Sequence, residues 1–334
     1  MSQRHRVLVT AATGGRTADH PREIPATMTA ARIREYGDAS VIQYEKIPVP
    51  APRPGEVLIR VAATSFNPSE TALRSGWLRA VLPVALPYTL GWDMSGTIVQ
   101  VGEGVAGFSA GDRVIGRLDA GGAAAGYVTA PAHVLAKAPA ATPLADAAAI
   151  PVAGLAAWQA LFEYARITAG QRILLNGAGG GVGVFAVQLA RHAGAIVIAT
   201  ASGRSAAAVR RYGADQVVDY TSTPLVEALD GPVDAVVNLA AVTSDAAADL
   251  VPLVRPGGVI VSIATPVEPP TGAAVTTTHL VARSDAGQLA DLVALVDAGE
   301  LVVDIAESHP LRDLASVHRR SEAGETRGKI IILP

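Results

Sequence analysis

Over residues 172–263 the chain alternates short, mainly apolar runs with longer stretches in which apolar residues recur every three or four positions. The runs at 172–176, 196–200, 216–219, 235–238 and 259–263 lack polar alternation, which predicts strands buried on both faces. Between them the segments 184–192, 206–212, 224–229 and 245–253 carry helical periodicity. Strand and helix in regular succession predict an α/β domain of Rossmann type, a doubly wound parallel sheet covered on both sides. Upstream the pattern is different. Residues 29–140 break into short β segments at 31–34, 56–62, 96–101, 113–116 and 126–129, separated by turns such as Pro52-Arg53-Pro54-Gly55 and Ser109-Ala110-Gly111-Asp112. An alanine-rich stretch, 143–164, predicts a helix that joins the two regions. One more amphipathic helix, 286–298, follows, and GKIIIL at 328–333 reads as a strand that returns to the first region. Residues 1–27 are rich in Arg, Pro and Thr and are expected to be a poorly ordered extension or an addition to a sheet edge.

Half of the 334 residues are apolar, enough to build a core in each of two domains. A net charge of -3 with 17% charged residues provides no positive field to hold nucleic acid or an anionic membrane, so a small molecule or cofactor is the expected partner. There is no cysteine, which excludes disulfides, a thiol nucleophile and any zinc site built on thiolates. The least polar run, 147–162, is interrupted by Pro151 and Gly154 and is shorter than the about 20 residues that span a bilayer. Residues 1–27 lack the apolar core of a signal peptide, and a cytoplasmic location is expected.

The strongest motif is LLNGAGGGVG at 174–183, placed between a predicted strand and a predicted helix. Gly177, Gly180 and Gly183 repeat every third position, while Val182 stands where a strict GxGxxG would need its last glycine. The physical demands of dinucleotide binding are still met. Backbone without Cβ lets a pyrophosphate approach the amides, and the following helix N-terminus favours its charge. A site for NAD would place a carboxylate about 20 residues further on to bind the ribose hydroxyl. Here the second strand ends in Thr200-Ala201-Ser202-Gly203-Arg204, with no acid to repel a 2′-phosphate and with Ser202 and Arg204 to hold one, so NADPH is the expected cofactor.

From Met28 onward the chain resembles the zinc-independent medium-chain dehydrogenases/reductases of the quinone oxidoreductase, zeta-crystallin-like, type. The resemblance is carried by SFNPSETALRSG (65–76), GWDMSGTIVQVGEGVAGFSAGDRVIG (91–116), AAAIPVAGLAAWQAL (147–161), the glycine loop, LVRPGGVIVSI (253–263) and RGKIIIL (327–333). It implies a GroES-like β-rich catalytic domain, 28–148 and 285–334, interrupted by a Rossmann NADPH-binding domain at 149–284, with the active site in the cleft between them. It also implies that Asn67 lies near the nicotinamide, that Gly180, Gly181, Val182 and Gly183 meet the pyrophosphate, that Tyr220 joins Ser202 and Arg204 around the 2′-phosphate, and that Ile263 belongs to the cofactor site. Zinc-dependent relatives use a Cys, the histidine of a GHE motif and a later Cys. This chain aligns Asn67, Trp92 and a cysteine-free segment near Gly154 with them, so no metal is expected. A homodimer formed by joining Rossmann sheets edge to edge is a further implication.

Oxidation of an alcohol in this superfamily relies on a Lewis acid. Hydride addition to an enone or quinone needs only hydrogen-bond donors for the oxygen on which charge develops. Asn67 is the first candidate donor, with a buried, structurally satisfied amide as the alternative; Tyr88 and Tyr127 are candidate proton donors, with a core or interface tyrosine as theirs. Asp93 follows the GHE glutamate in position and is expected to hold a loop. Trp92, Trp77, Phe66 and Trp158 are candidates for an apolar lining, with packing in the core as the alternative. The expected activity is an NADPH-dependent, metal-free reductase of an activated C=C. Two alternatives stay open: a tailoring reductase of secondary metabolism, because 186–202 is similar to polyketide enoyl reductase domains, and an NADPH-binding structural or regulatory protein with little turnover.

Overall fold

The computed structural model describes residues 23–334. The extension expected at 1–27 lies outside this range up to residue 22, and its last residue, Thr27, opens the first strand. The β-rich region contains β1 (Thr27–Ile33), β2 (Ile42–Pro48), β3 (Glu56–Phe66), α1 (Pro68–Arg74), β4 (Tyr88–Thr89), β5 (Asp93–Val101), β6 (Arg113–Arg117), β7 (Tyr127–Pro131) and β8 (Leu135–Lys137). The α/β region follows with α2 (Pro151–Trp158), β9 (Arg172–Asn176), α3 (Gly181–His192), β10 (Ile196–Thr200), α4 (Ala206–Tyr212), β11 (Gln216–Val218), α5 (Leu225–Ala228), β12 (Val233–Asn238), α6 (Ser244–Ala248), β13 (Val254–Ser262) and β14 (Thr276–His279). The chain closes with α7 (Ala286–Asp297), β15 (Ile305–Pro310), α8 (Leu314–Glu322) and β16 (Lys329–Leu333).

The sheet of the α/β region has the order β11-β10-β9-β12-β13-β14, and every pairing in it is parallel. Connections leave β9 in opposite directions, so the switch in strand order falls between β9 and β12, where a crevice opens beyond the carboxyl ends of the strands. Ile173, Leu175, Val197 and Val237 pack beneath Phe185 and Leu189 of α3 in one apolar cluster. The seven-stranded sheet of the other region runs β15-β16-β3-β5-β6-β8, with β7 also paired to β3. As expected, the terminal strand returns: β16 pairs antiparallel with the end of β3, opposing Ile330 to Phe66 and Ile332 to Thr64.

The joining helix is broken up. A 3-10 turn, Asp146–Ala149, gives way at Pro151 to α2, and a π-helical turn, Gln159–Tyr164, ends it. Pro151 has no N–H to lose at a first helical turn, so the restart falls there. Helix α7 buries Leu289, Leu292, Val293 and Val296, one face at helical spacing, against α2 and β8. Gly154 makes that contact possible, since a Cβ there would come 2.9 Å from Leu292 Cδ1. Among the described residues no helix is long and apolar enough to cross a membrane.

Candidate active site

Two groups of residues face each other across the junction of the regions. The first is the glycine loop after β9. Its conformation is imposed from below by a chain of neutral hydrogen bonds across the strand ends. Asn176 Nδ2 donates to Asn238 Oδ1 (2.9 Å), Thr200 Oγ1 to Asn176 Oδ1 (2.9 Å) and Asn238 Nδ2 to Ser262 Oγ (3.0 Å). Thr200 Oγ1 in turn accepts the N–H of Gly177 at 2.7 Å, which sets the first turn of the loop at a positive φ of 90°. Further along, a Cβ on Gly183 would strike the backbone of Ala178, so this glycine lets α3 pack onto its own loop.

The cleft above is lined by Gly177, Gly179, Gly180, Thr200, Ala201, Ser202, Arg204, Ser205, Tyr220, Thr326 and Arg327. Of the residues expected at the cofactor, Gly180, Ser202, Arg204 and Tyr220 line it together. Gly181, Val182 and Gly183 form the start of α3 and do not line it. Ile263, half-buried at the end of β13, donates its N–H to Asn238 O (3.0 Å) and also lies outside the lining. Sequence reasoning missed Thr326 and Arg327, which precede β16 and close the cleft from the β-rich side. The cleft's charged lining residues are the two arginines, and no carboxylate joins them. Glycine backbone, a helix N-terminus and two guanidinium groups are a donor set that suits a phosphorylated dinucleotide.

The second group is a buried polar cluster at the end of β3. Register across β16 sets Lys329 beside Asn67. Lys329 Nζ donates to Ser65 Oγ (2.5 Å), Asn67 Oδ1 (3.3 Å) and Asp93 Oδ2 (3.3 Å). Asp93 Oδ2 also accepts from Asn67 Nδ2 at 2.9 Å and from Ser65 Oγ, and its Oδ1 takes the N–H of Val152 at 2.6 Å. Glu70, in the first turn of α1, accepts from Asn67 Nδ2 (3.4 Å) and from the N–H groups of Gly91 (3.3 Å) and Trp92 (3.5 Å). Asp93 is fully buried and Glu70 and Lys329 are each 2% exposed. Burial, and then the nearby charge of Asp93, push the Glu70 carboxyl up to about 7.

Asn67 is thus both buried and hydrogen-bonded inside the protein, with one Nδ2 hydrogen committed to Asp93 and the other making only contacts of 3.4 Å. Tyr88 lies close by. Its hydroxyl oxygen accepts from Trp92 Nε1 at 2.9 Å, and burial holds the phenol well above its ordinary range, so it stays protonated. Tyr127 is not brought to this place: it pairs with Arg60, seven positions back along β3 from Asn67 and roughly 20 Å away at strand rise. Asp93 ties β5 to the start of α2, as expected of a loop-holding residue. Trp92 and Phe66 pack in one apolar cluster with Tyr88, whereas Trp158 stacks edge-on against Phe162 in the α/β core. Trp77 is 81% exposed, so it is neither core nor an enclosed lining.

A zinc ion does not fit the positions where related enzymes hold one. Asn67 presents its Oδ1 to an ammonium, the Trp92 nitrogen is a donor engaged with Tyr88, and Gly154 is packed under Leu292.

Residues 53–140 match the model of the alcohol dehydrogenase GroES-like domain, and residues 212–332 that of the zinc-binding dehydrogenases. The chain is 35% identical to the chloroplast envelope quinone oxidoreductase homolog of Arabidopsis thaliana, over 92% of this chain and 98% of that protein. It belongs to the medium-chain dehydrogenases/reductases of the quinone oxidoreductase type. Within that family it is also 30% identical to the NADPH-dependent alkenal/one oxidoreductase of Arabidopsis thaliana chloroplasts, over 95% of this chain and 82% of that protein. The quinone oxidoreductase of Escherichia coli complexed with NADPH superposes with a TM-score of 0.83 at 27% identity, covering 92% of this chain and all of that one (100%). This member of the family is therefore an oxidoreductase that binds a nucleotide of the NAD(P) type, built as a GroES-like domain joined to a Rossmann sheet.

Proposed function

We propose that this oxidoreductase uses NADPH to reduce an activated C=C bond, that of an enone or quinone, without a metal. The observation that carries the cofactor choice is the cleft in which Ser202, Arg204, Tyr220 and Arg327 converge with no carboxylate among them. A 2′-phosphate has two guanidinium partners there, one from each domain, and nothing to repel it. When bound, NADPH supplies a hydride from its nicotinamide ring.

The protein's own part is to place the reactants and to meet the charge that develops on the acceptor's carbonyl oxygen. Asn67 contributes the Nδ2 hydrogen that has only long contacts within the protein. Tyr88 keeps its proton through the neutral range and serves as a hydrogen-bond donor rather than as a source of tyrosinate. Trp92 and Phe66 give the apolar wall behind them. The names of the related quinone and alkenal/one oxidoreductases support the same acceptor class. The open edge strand β14 supports a homodimer joined sheet to sheet.

NADPH and NADH oxidation with a panel of quinones, enones and enoyl thioesters tests the reading. Turnover with quinones or enones and a preference for NADPH is expected, and Arg204→Ala or Arg327→Ala should raise the NADPH KM by roughly tenfold or more while leaving that for NADH almost unchanged. Tight NADPH binding with no acceptor reduced would favour a binding protein instead.

A further inference from the structure

Asn67 and the pyrophosphate loop lie on different domains, and one side chain runs between them. We propose that Lys329 is a positioning residue that couples the loop to the orientation of the Asn67 amide; this rests on the reading that Asn67 faces the nicotinamide of bound NADPH. The stem of the lysine is braced on the loop. Gly181 has no side chain, and a Cβ there would lie 2.8 Å from Lys329 Cδ, so the loop backbone and the lysine methylenes are in packing contact. The preceding residue is stitched to the same loop: Gly328 bridges to Gly180, and its N–H is donated to Gly179 O at 3.2 Å.

The other end of Lys329 holds the amide. An ammonium has three hydrogens, and the acceptors Ser65 Oγ, Asn67 Oδ1 and Asp93 Oδ2 take all of them. With Oδ1 fixed on the cation, Nδ2 must face the Asp93 carboxylate, so only one orientation of the amide satisfies both sides, and the second Nδ2 hydrogen keeps only contacts of 3.4 Å. A buried ion pair is weak evidence for stability, because desolvation offsets much of the attraction. Its physical return here is geometric: a cation that touches the cofactor loop with its stem and the nicotinamide-facing amide with its head keeps the two in register.

The test compares wild type with Lys329→Met and with the double variant Asp93→Asn/Lys329→Met, which removes both charges and so avoids a lone buried carboxylate. Three quantities are read on folded protein: NADPH affinity, the emission of bound NADPH, and the facial selectivity of transfer from NADPH deuterated at either C4 position. The expected result is NADPH affinity within roughly threefold of wild type, emission shifted toward that of the free dinucleotide, lowered facial selectivity and a kcat reduced roughly 10- to 100-fold. Unchanged emission and selectivity in a folded variant would overturn the proposal. If wild type binds NADPH but reduces no acceptor, the proposed reaction fails and the emission comparison still decides the role of Lys329.

Discussion

The site rests on two buried polar networks that solve the same problem in opposite ways. Under the glycine loop, Asn176, Thr200, Asn238 and Ser262 form a neutral ladder in which each donor meets an acceptor and no group titrates near neutrality. Under Asn67, two carboxyls and one ammonium share a space sealed from water. Neutral amides and hydroxyls cost little to bury once satisfied and respond to neither pH nor salt, which suits a scaffold for the cofactor. Charges cost far more to bury, and they remain only where each has its partner. The difference separates a part that fixes shape from a part whose geometry depends on its protonation.

The largest effect should come from breaking the charged network. Asp93→Ala leaves the Lys329 ammonium buried without a carboxylate at hydrogen-bonding distance from it and is expected to lower unfolding free energy by about 3–5 kcal/mol in denaturant titration. Next is Glu70. Its carboxyl is raised in the folded state above the ordinary 4.5 to about 7, so folding favours the protonated form. The stability this contributes is complete below about pH 4.5 and is lost as pH rises toward 7, up to about 3 kcal/mol in all. Glu70→Gln should flatten that part of the stability profile, and a wild-type profile that already lacks the slope would show the group ionised in the fold. A smaller change is expected in the neutral ladder: Asn238→Ala strands Asn176 and Ser262 and should cost about 1–3 kcal/mol, by the same amount at pH 5 and pH 8. A pH-dependent loss there would erase the distinction between the two networks.

Much of the α/β region was legible in the chain because its strands are mainly apolar and its helices periodic. The expected runs at 172–176 and 196–200 coincide with β9 and β10. Strand β2 was missed, since its exposed Gln43 and Lys46 leave little apolar pattern, as was the polar edge strand β14. Helices α1 and α8 were missed as well; α1 spans only seven residues. Within the site, Ser202 and Arg204 could be named from the strand end they follow, and Tyr220 from the family resemblance. Glu70 and Arg327 could not, although both lie inside segments that carried the family resemblance. Lys329 did leave a trace: it is one of three lysines in the chain and stands at the head of an otherwise apolar strand.

Local pattern was enough to establish the dinucleotide loop, the absence of thiolate ligands and the split into β-rich and α/β regions, because periodicity and glycine spacing act over a few residues. Which polar groups meet beneath the loop and around Asn67 was settled only by folding. Residues 65 and 93 meet because β3 pairs with β5, residue 329 joins them only because β16 crosses back to β3, and the cost of burying charge then selected the pairings among them.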